Sequence, residues 1–324
     1  MTFNLRRMLA ALATGAALAA TLPAQAAYVL SEFSRPGAAT TSLWDINNSG
    51  VMVGFSATGI SATDYSTGFI YDGSTFTTLS GPTGALSTAA LGISDTGVVV
   101  GSYANSVGLQ SGFIYSGGNY TTFVVAGATD TFLRGISPDG RYISGYYSTD
   151  TVGGIGFVWD SLTGALTIVS APASQFTIAQ GVNNAGVVVG SDVLSGLPTT
   201  QPGFGYDVVT GTRTDLQIAG ATRTAIRAID DAGVLAGFFI DAGGTHGFVG
   251  SIASFEQIDF AGASFTAVEG INNAGVLVGT YDINGVTHAF IARQVPEPAT
   301  LLLVMAALAA LGLTRRGAHA VGRE

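Results

Sequence analysis

The chain has 324 residues, no cysteine, no lysine and a formal net charge of −9 at pH 7. Without cysteine, disulfides and thiolate-bound zinc or iron–sulfur centres are excluded, and the acidic balance argues against nucleic acid or anionic lipid as partners. Only 10% of residues are charged, but runs of Val, Ile and Phe recur throughout, so a folded body of one large or two small domains is expected rather than a disordered chain.

Residues 1–26 read as a secretory signal peptide. Arg6 and Arg7 supply the positive start, Met8–Leu22 is apolar, and Ala24-Gln25-Ala26 fits a small-x-small cleavage site. Signal peptidase is therefore an expected partner, and the mature body runs from Ala27 to Arg293. It opens on Tyr28–Phe33, a strand-like segment that belongs to no complete repeat.

Six related segments follow: "INNSGVMVG", "ISDTGVVVG", "ISPDGRYISG", "VNNAGVVVG", "IDDAGVLAG" and "INNAGVLVG". Their turn glycines are Gly50, Gly97, Gly140, Gly186, Gly233 and Gly275, a period of about 45 residues. A second marker trails each one: "GFIY" at Gly68 and Gly112, "GFVW" at Gly156, "GFGY" at Gly203, "GFVG" at Gly247 and "AFIA" at Ala289. Each copy reads as four short strands, a to d, because β-branched and aromatic runs are bounded by Gly, Asn, Asp and Ser. Four-stranded units at this period predict an all-β fold, a six-bladed β-propeller. The sixth copy stops after strand c, near Arg293, and Tyr28–Phe33 resembles strand d. If it completes the last blade, the ring is closed by the N-terminal strand and no sheet edge stays open. A linear solenoid is the rival and has no need of such complementary ends.

The copies resemble the extracellular HAF repeat through His288-Ala289-Phe290 and, less fully, His246-Gly247-Phe248. The four earlier copies keep the phenylalanine and lack the histidine. The repeat carries no established chemistry over to a residue here.

The last segment, residues 294–324, has a Pro296-Glu297-Pro298 turn, an apolar run Leu301–Leu313, and then Arg315 and Arg316. The run is shorter than the roughly 20 residues a stable transmembrane helix needs, and the arginines favour a cytoplasmic C-terminal end. These features resemble the PEP-CTERM sorting signal of Gram-negative bacteria. That resemblance implies transient anchoring in the inner membrane, cutting by an exosortase near the motif, and a cell-surface or extracellular destination, often beside exopolysaccharide. A plain membrane anchor is the alternative. Both terminal apolar segments are thus read as targeting helices.

The body shows little sign of chemistry. The turn residues, Asn47/Asn48, Ser94/Asp95, Asp139, Asn183/Asn184, Asp230/Asp231 and Asn272/Asn273, suit tight hairpins, since Asn and Asp bond nearby backbone and glycine accepts positive φ. A calcium loop needs about 6–8 converging oxygens, and three of the copies have no carboxylate at the turn. His246 and His288 precede strand c in neighbouring copies, where the other copies have Thr67, Ser111, Ile155 and Pro202. This fits hydrogen bonding better than a ring of metal ligands. No G-x-S-x-G, phosphate-binding or H-E-x-x-H motif occurs. No cofactor or metal is implied.

Two places remain for binding. One is the variable b–c loops. The other is the inner side of strand a, where Trp44, Leu91, Arg134, Gln180, Arg227 and Glu269 occupy equivalent positions. Arg134, Gln180, Arg227 and Glu269 are the candidate ligand-binding residues of a channel, unless they only pair with each other or with water. The expected function is an exported binding or structural module associated with extracellular polysaccharide. An exported polysaccharide-active enzyme and a permanently anchored surface protein are the alternatives.

Overall fold

The computed structural model describes residues 27–60, 65–172, 174–194 and 200–295. The signal peptide and the sorting residues Pro296, Glu297, Pro298, Arg315 and Arg316 lie outside the described residues. The chain divides into two compact units, Leu30–Arg293 and one made of Met1–Val29 with Gln294–Glu324. In the latter, the described residues include Gln294, whose Nε2 donates to the Tyr28 hydroxyl at 3.2 Å. Every regular element among the described residues is a β-strand, and no helix there is long and apolar enough to cross a membrane.

The strands fall where the repeat predicts. The first repeat is β2 (Thr40–Ile46), β3 (Met52–Ala57), β4 (Thr67–Tyr71) and β5 (Phe76–Leu79). The second is β6 (Ser87–Ile93), β7 (Val99–Ala104), β8 (Gln110–Ser116) and β9 (Asn119–Phe123). The third is β10 (Asp130–Ile136), β11 (Tyr142–Ser148), β12 (Ile155–Asp160) and β13 (Leu166–Ile168). The fourth is β14 (Ser174–Val182), β15 (Val187–Leu194), β16 (Gly203–Asp207) and β17 (Thr212–Leu216). Each of these is an antiparallel four-stranded sheet in chain order.

The fifth repeat, β18 (Arg223–Ile229), β19 (Leu235–Ile240), β20 (Thr245–Gly250) and β21 (Phe255–Ile258), shares one larger sheet with the sixth. The sixth repeat is β22 (Phe265–Ile271), β23 (Leu277–Ile283) and β24 (Val286–Val295), and β1 (Ala27–Phe33) lies beside β24 in the order β1-β24-β23-β22. The two repeats merge through a single parallel pair, Thr245 with Phe265. That junction recurs elsewhere as one backbone bond from the start of strand a to the segment entering strand c of the repeat before, as in Thr88 N to Ser66 O (2.9 Å) and Thr224 N to Gln201 O (2.8 Å).

The marker phenylalanines explain why the sheets stack. Phe69, Phe113, Phe157, Phe204, Phe248 and Phe290 are each 0% exposed. Burying a side chain of this size contributes about 1.5–3 kcal/mol. The apolar clusters draw on two repeats at a time. One joins Val53 to Phe113, another Val100 to Phe157, and another Val189 to Phe248. The cluster around Leu43, Met52 and Phe69 takes Val278 and Ala289 from the sixth repeat, with Phe33 of β1 packed against it.

The two glycines of each repeated segment have different tasks. Gly275 sits at φ 71°, in the left-handed region its turn requires. Gly279 lies in β23, and a Cβ there would overlap the Ala267 carbonyl of β22 and the Phe290 ring. The second glycine is therefore a packing residue. The b–c loops and d–a connectors share one side of each sheet, joined by bonds such as Leu86 N to Ala104 O and Thr129 N to Ser148 O, both 2.8 Å.

Candidate functional site

Every a–b pair breaks register at the equivalent place, between Leu43/Asp45, Ala90/Gly92, Leu133/Gly135, Ala179/Val182, Ile226/Ala228 and Val268/Gly270, and the fourth breaks again between Ser174 and Phe176. The residue inside each break is Trp44, Leu91, Arg134, Gln180, Arg227 or Glu269, with Gly181 sharing the fourth. A bulge leaves an extra residue unpaired and re-aims its side chain. The six bulge residues line one cavity, so the four channel residues expected from sequence do come together. The residue that follows each bulge is small in five of six repeats. A Cβ on Gly92 would meet Gly135, one on Gly135 would meet Gln180 O, and one on Gly270 would meet Asp45.

The cavity has a volume of about 50 Å³. That is room for roughly three or four water molecules, far below the about 300 Å³ at which small-molecule pockets begin. The Arg134 and Arg227 guanidiniums lie 5.2 and 5.6 Å from the Trp44 ring centroid, and Arg227 Nε is 3.4 Å from Glu269 Oε2. Burial holds the Arg134 pKa below its ordinary value, and the charge of Arg227 adds to that. Trp44 Nε1, Arg134 Nε and Gln180 Nε2 are buried with no hydrogen-bond partner.

Asp45, which sequence reasoning did not single out, takes the small-residue position in the first repeat. Its carboxylate accepts from Ile46 N at 2.8 Å and from Ile93 N of the second repeat at 2.9 Å. Burial pushes its pKa up to about 7 despite those two bonds. The departure from the Gly or Ala of the other copies was the available sequence signal.

The paired-asparagine turns at one mouth of the cavity do more than turn. The first residue of each turn caps its own loop. Val51 N donates to Asn47 Oδ1, Val98 N to Ser94 Oγ, Tyr142 N to Ser137 Oγ, Val187 N to Asn183 Oδ1, Val234 N to Asp230 Oδ1, and Val276 N to Asn272 Oδ1, at 2.8–3.0 Å. Ser, Asp and Asn all serve for that. Only asparagine adds a donor that reaches onward. Asn47 Nδ2 bonds Ser94 O at 3.0 Å, Asn183 Nδ2 bonds Asp230 O at 3.1 Å, and Asn272 Nδ2 bonds Asn47 O at 3.1 Å.

The second residue continues the linkage. Asn48 bonds Asp95 through N and Nδ2, and Asp95 N bonds Pro138 O. Asp139 N bonds Asn184 Oδ1, Asn184 bonds Asp231 through N and Nδ2, Asp231 N bonds Asn273 Oδ1, and Asn273 N bonds Asn48 Oδ1. The carboxylates of Asp95 and Asp231 are thereby occupied as acceptors. Among the described residues, no group of three or more His, Asp or Glu side chains could hold a metal ion.

The two histidines have separate settings. His246 Nδ1 is 2.9 Å from Asp259 Oδ2 and its Nε2 3.5 Å from Asp241 Oδ1, while His288 Nδ1 is 3.7 Å from Glu32 of β1.

Residues 294–316 match the PEP-CTERM protein-sorting motif. The motif indicates exosortase-dependent sorting to the cell surface or the extracellular space. No curated protein matches the chain. Among solved structures, the chain is similar to TolB from Acinetobacter baumannii, at 16% identity and TM-score 0.48 over 75% of this chain and 64% of that one. It is similar to a prolyl endopeptidase at 11% identity and TM-score 0.51, over 82% of this chain and 44% of that one. It also resembles the Aleuria aurantia lectin in complex with α-methyl-L-fucoside, at 14% identity and TM-score 0.46, over 83% and 98%. The chain thus spans less than two thirds of the TolB chain and less than half of the prolyl endopeptidase. The endopeptidase likeness shows a fold only, β-propeller-like and all-β.

Proposed function

We propose that this chain is a closed six-bladed β-propeller that an exosortase delivers outside the cell, where it serves as a non-catalytic binding or structural module associated with exopolysaccharide. The observation that carries the destination is the sorting motif at residues 294–316. Closure is supported by the bonds from Asn272 and Asn273 to Asn47 and Asn48, by the packing of Gly270 on Asp45, and by Val278 and Ala289 in the first repeat's apolar cluster. With β1 as its fourth strand, the last blade carries both ends of the body, so neither end can leave without breaking the ring. Signal peptidase acts first, the tail anchors the chain transiently in the inner membrane, and exosortase then acts near Pro296-Glu297-Pro298.

A non-catalytic role fits the state of the carboxylates. Hydrolysing a glycosidic bond takes two carboxyl groups about 5–9.5 Å apart with substrate between them. Asp45, Asp95 and Asp231 are held as acceptors by the backbone and by asparagines, and Glu269 sits in a cavity too small for a sugar. Polymer contact is better suited to the loop face, where Tyr65 is 62% exposed and Ile60, Val107 and Val152 are also exposed.

Intact mass of the protein recovered from surface, medium and membrane fractions tests the destination. A mature chain beginning at Ala27 and ending near Pro296-Glu297-Pro298 is expected outside the inner membrane, and Glu297→Ala should trap the uncut form. A full-length tail in the membrane fraction of wild-type cells would refute exosortase release. Co-sedimentation of the mature protein with purified exopolysaccharide tests the association separately.

A further inference from the structure

We propose that the axial cavity is a binding site for a small monovalent inorganic anion the size of chloride, held by Trp44, Arg134, Gln180 and Arg227. This goes beyond the exported-module reading and does not depend on it.

The bulges bring an excess of donors to one point in the cavity. Trp44 Nε1, Arg134 Nε and Gln180 Nε2 are buried with no acceptor, and Gln180 is only 4% exposed. The one acceptor in this layer without a hydrogen bond, Glu269 Oε2, is already the ion-pair partner of Arg227 Nε at 3.4 Å. A buried donor without an acceptor is costly, which is why such groups usually find a partner. Water fills that need poorly here. Each water brings two hydrogens of its own, and the one acceptor here without a hydrogen bond, Glu269 Oε2, already faces Arg227. An anion accepts from several donors and donates nothing.

Charge points the same way at this depth. Among the six bulge residues, Arg134 and Arg227 supply two positive charges and Glu269 one negative, leaving an excess of one in that layer. Both guanidiniums lie over the Trp44 ring, which attracts them without neutralising either. Three further carboxylates line the cavity, and each is engaged by donors of its own. Asp45 accepts from Ile46 N and Ile93 N, Asp95 accepts twice from Asn48, and Asp230 accepts from Val234 N. A cavity of about 50 Å³ admits a halide with water beside it and excludes a sugar.

Bromide is the probe. Crystals of the mature protein grown in sodium bromide should give an anomalous peak on the axis among these four side chains. In solution, Tm in sodium chloride should exceed Tm in sodium gluconate at equal ionic strength, and the gap should widen with each tenfold rise in chloride. Gln180→Leu removes one donor at nearly constant volume and should abolish the gap, as should Arg134→Gln if it folds. A bromide map showing only water in the cavity would overturn the proposal. So would a chloride–gluconate gap that is zero, or one of equal size in wild type and Gln180→Leu.

Discussion

Asn272→Asp changes one atom type at the junction between the last and first repeats. Asn272 is 5% exposed, and its Oδ1 accepts from Ala274 N at 3.1 Å and Val276 N at 3.0 Å. Aspartate can keep both bonds, since Asp230 makes the equivalent bond to Val234 N at 2.8 Å in its own turn. What is lost is the Nδ2 donor to Asn47 O, replaced by an oxygen facing an oxygen. One net hydrogen bond contributes about 0.5–1.5 kcal/mol, and the unfavourable buried contact adds about 1–3. Stronger acceptance by the carboxylate offsets part of this, so a loss of about 1–3 kcal/mol is expected. For a chain of this size each kcal/mol lowers Tm by about 2–4 °C. Urea unfolding of the mature protein, followed through Trp44 and Trp159, measures it. Asn183→Asp is the internal reference, because Asn183 Nδ2 makes the same bond to Asp230 O within the run of repeats. A closed ring requires the two variants to cost about the same. If Asn183→Asp destabilises and Asn272→Asp does not, the terminal junction is not made and the closure argument fails.

Gly279→Ala forces a methyl group against the Ala267 carbonyl and the Phe290 ring, so a loss of more than about 3 kcal/mol or failure to fold is expected in thermal melts, while Gly285→Ala, with open space around it, should cost only the strain of its left-handed backbone, about 1–2 kcal/mol. Phe33→Ala removes a ring that packs 5.2 Å from Tyr71 and 5.8 Å from Phe76. A cost of about 2–3 kcal/mol in urea unfolding is expected, and an effect within 0.5 would mean β1 does not pin the first repeat. Asp45 gives a pH signature. Its folded pKa of about 7 exceeds the ordinary aspartate value of 3.8, so the folded state binds more protons between them. Stability should therefore fall as pH rises from about 4 to about 7 and level off above. Asp45→Asn should remove that component of the slope, and an unchanged profile would refute the assignment.

The repeat, its strands and the strand-c markers were legible in the sequence because they rest on local chemistry. Runs of β-branched and aromatic residues, turn glycines and a fixed period act within one copy and need no knowledge of the neighbours. The bulge positions were found for a different reason. Arg134, Gln180, Arg227 and Glu269 stood out as polar residues in apolar strands, although nothing local announced a break in register. The asparagine pairs were half understood. Their fit to a tight turn is a local property that Ser94, Ser137 and Asp230 share, whereas the onward bond through Nδ2 depends on where the next repeat's carbonyl lies.

The sequence by itself determined the all-β character, the four-strand unit and, through residues 294–316, the sorting of the protein out of the cell. Only the tertiary structure decided that six bulges converge on one small cavity, that Asp45 spans two repeats, and that the last asparagine pair bonds the first. The physical reason is distance along the chain. Asn272 and Asn47 are 225 residues apart, and a bond between them is set by the summed twist and spacing of all the intervening sheets, which no single copy of the repeat encodes.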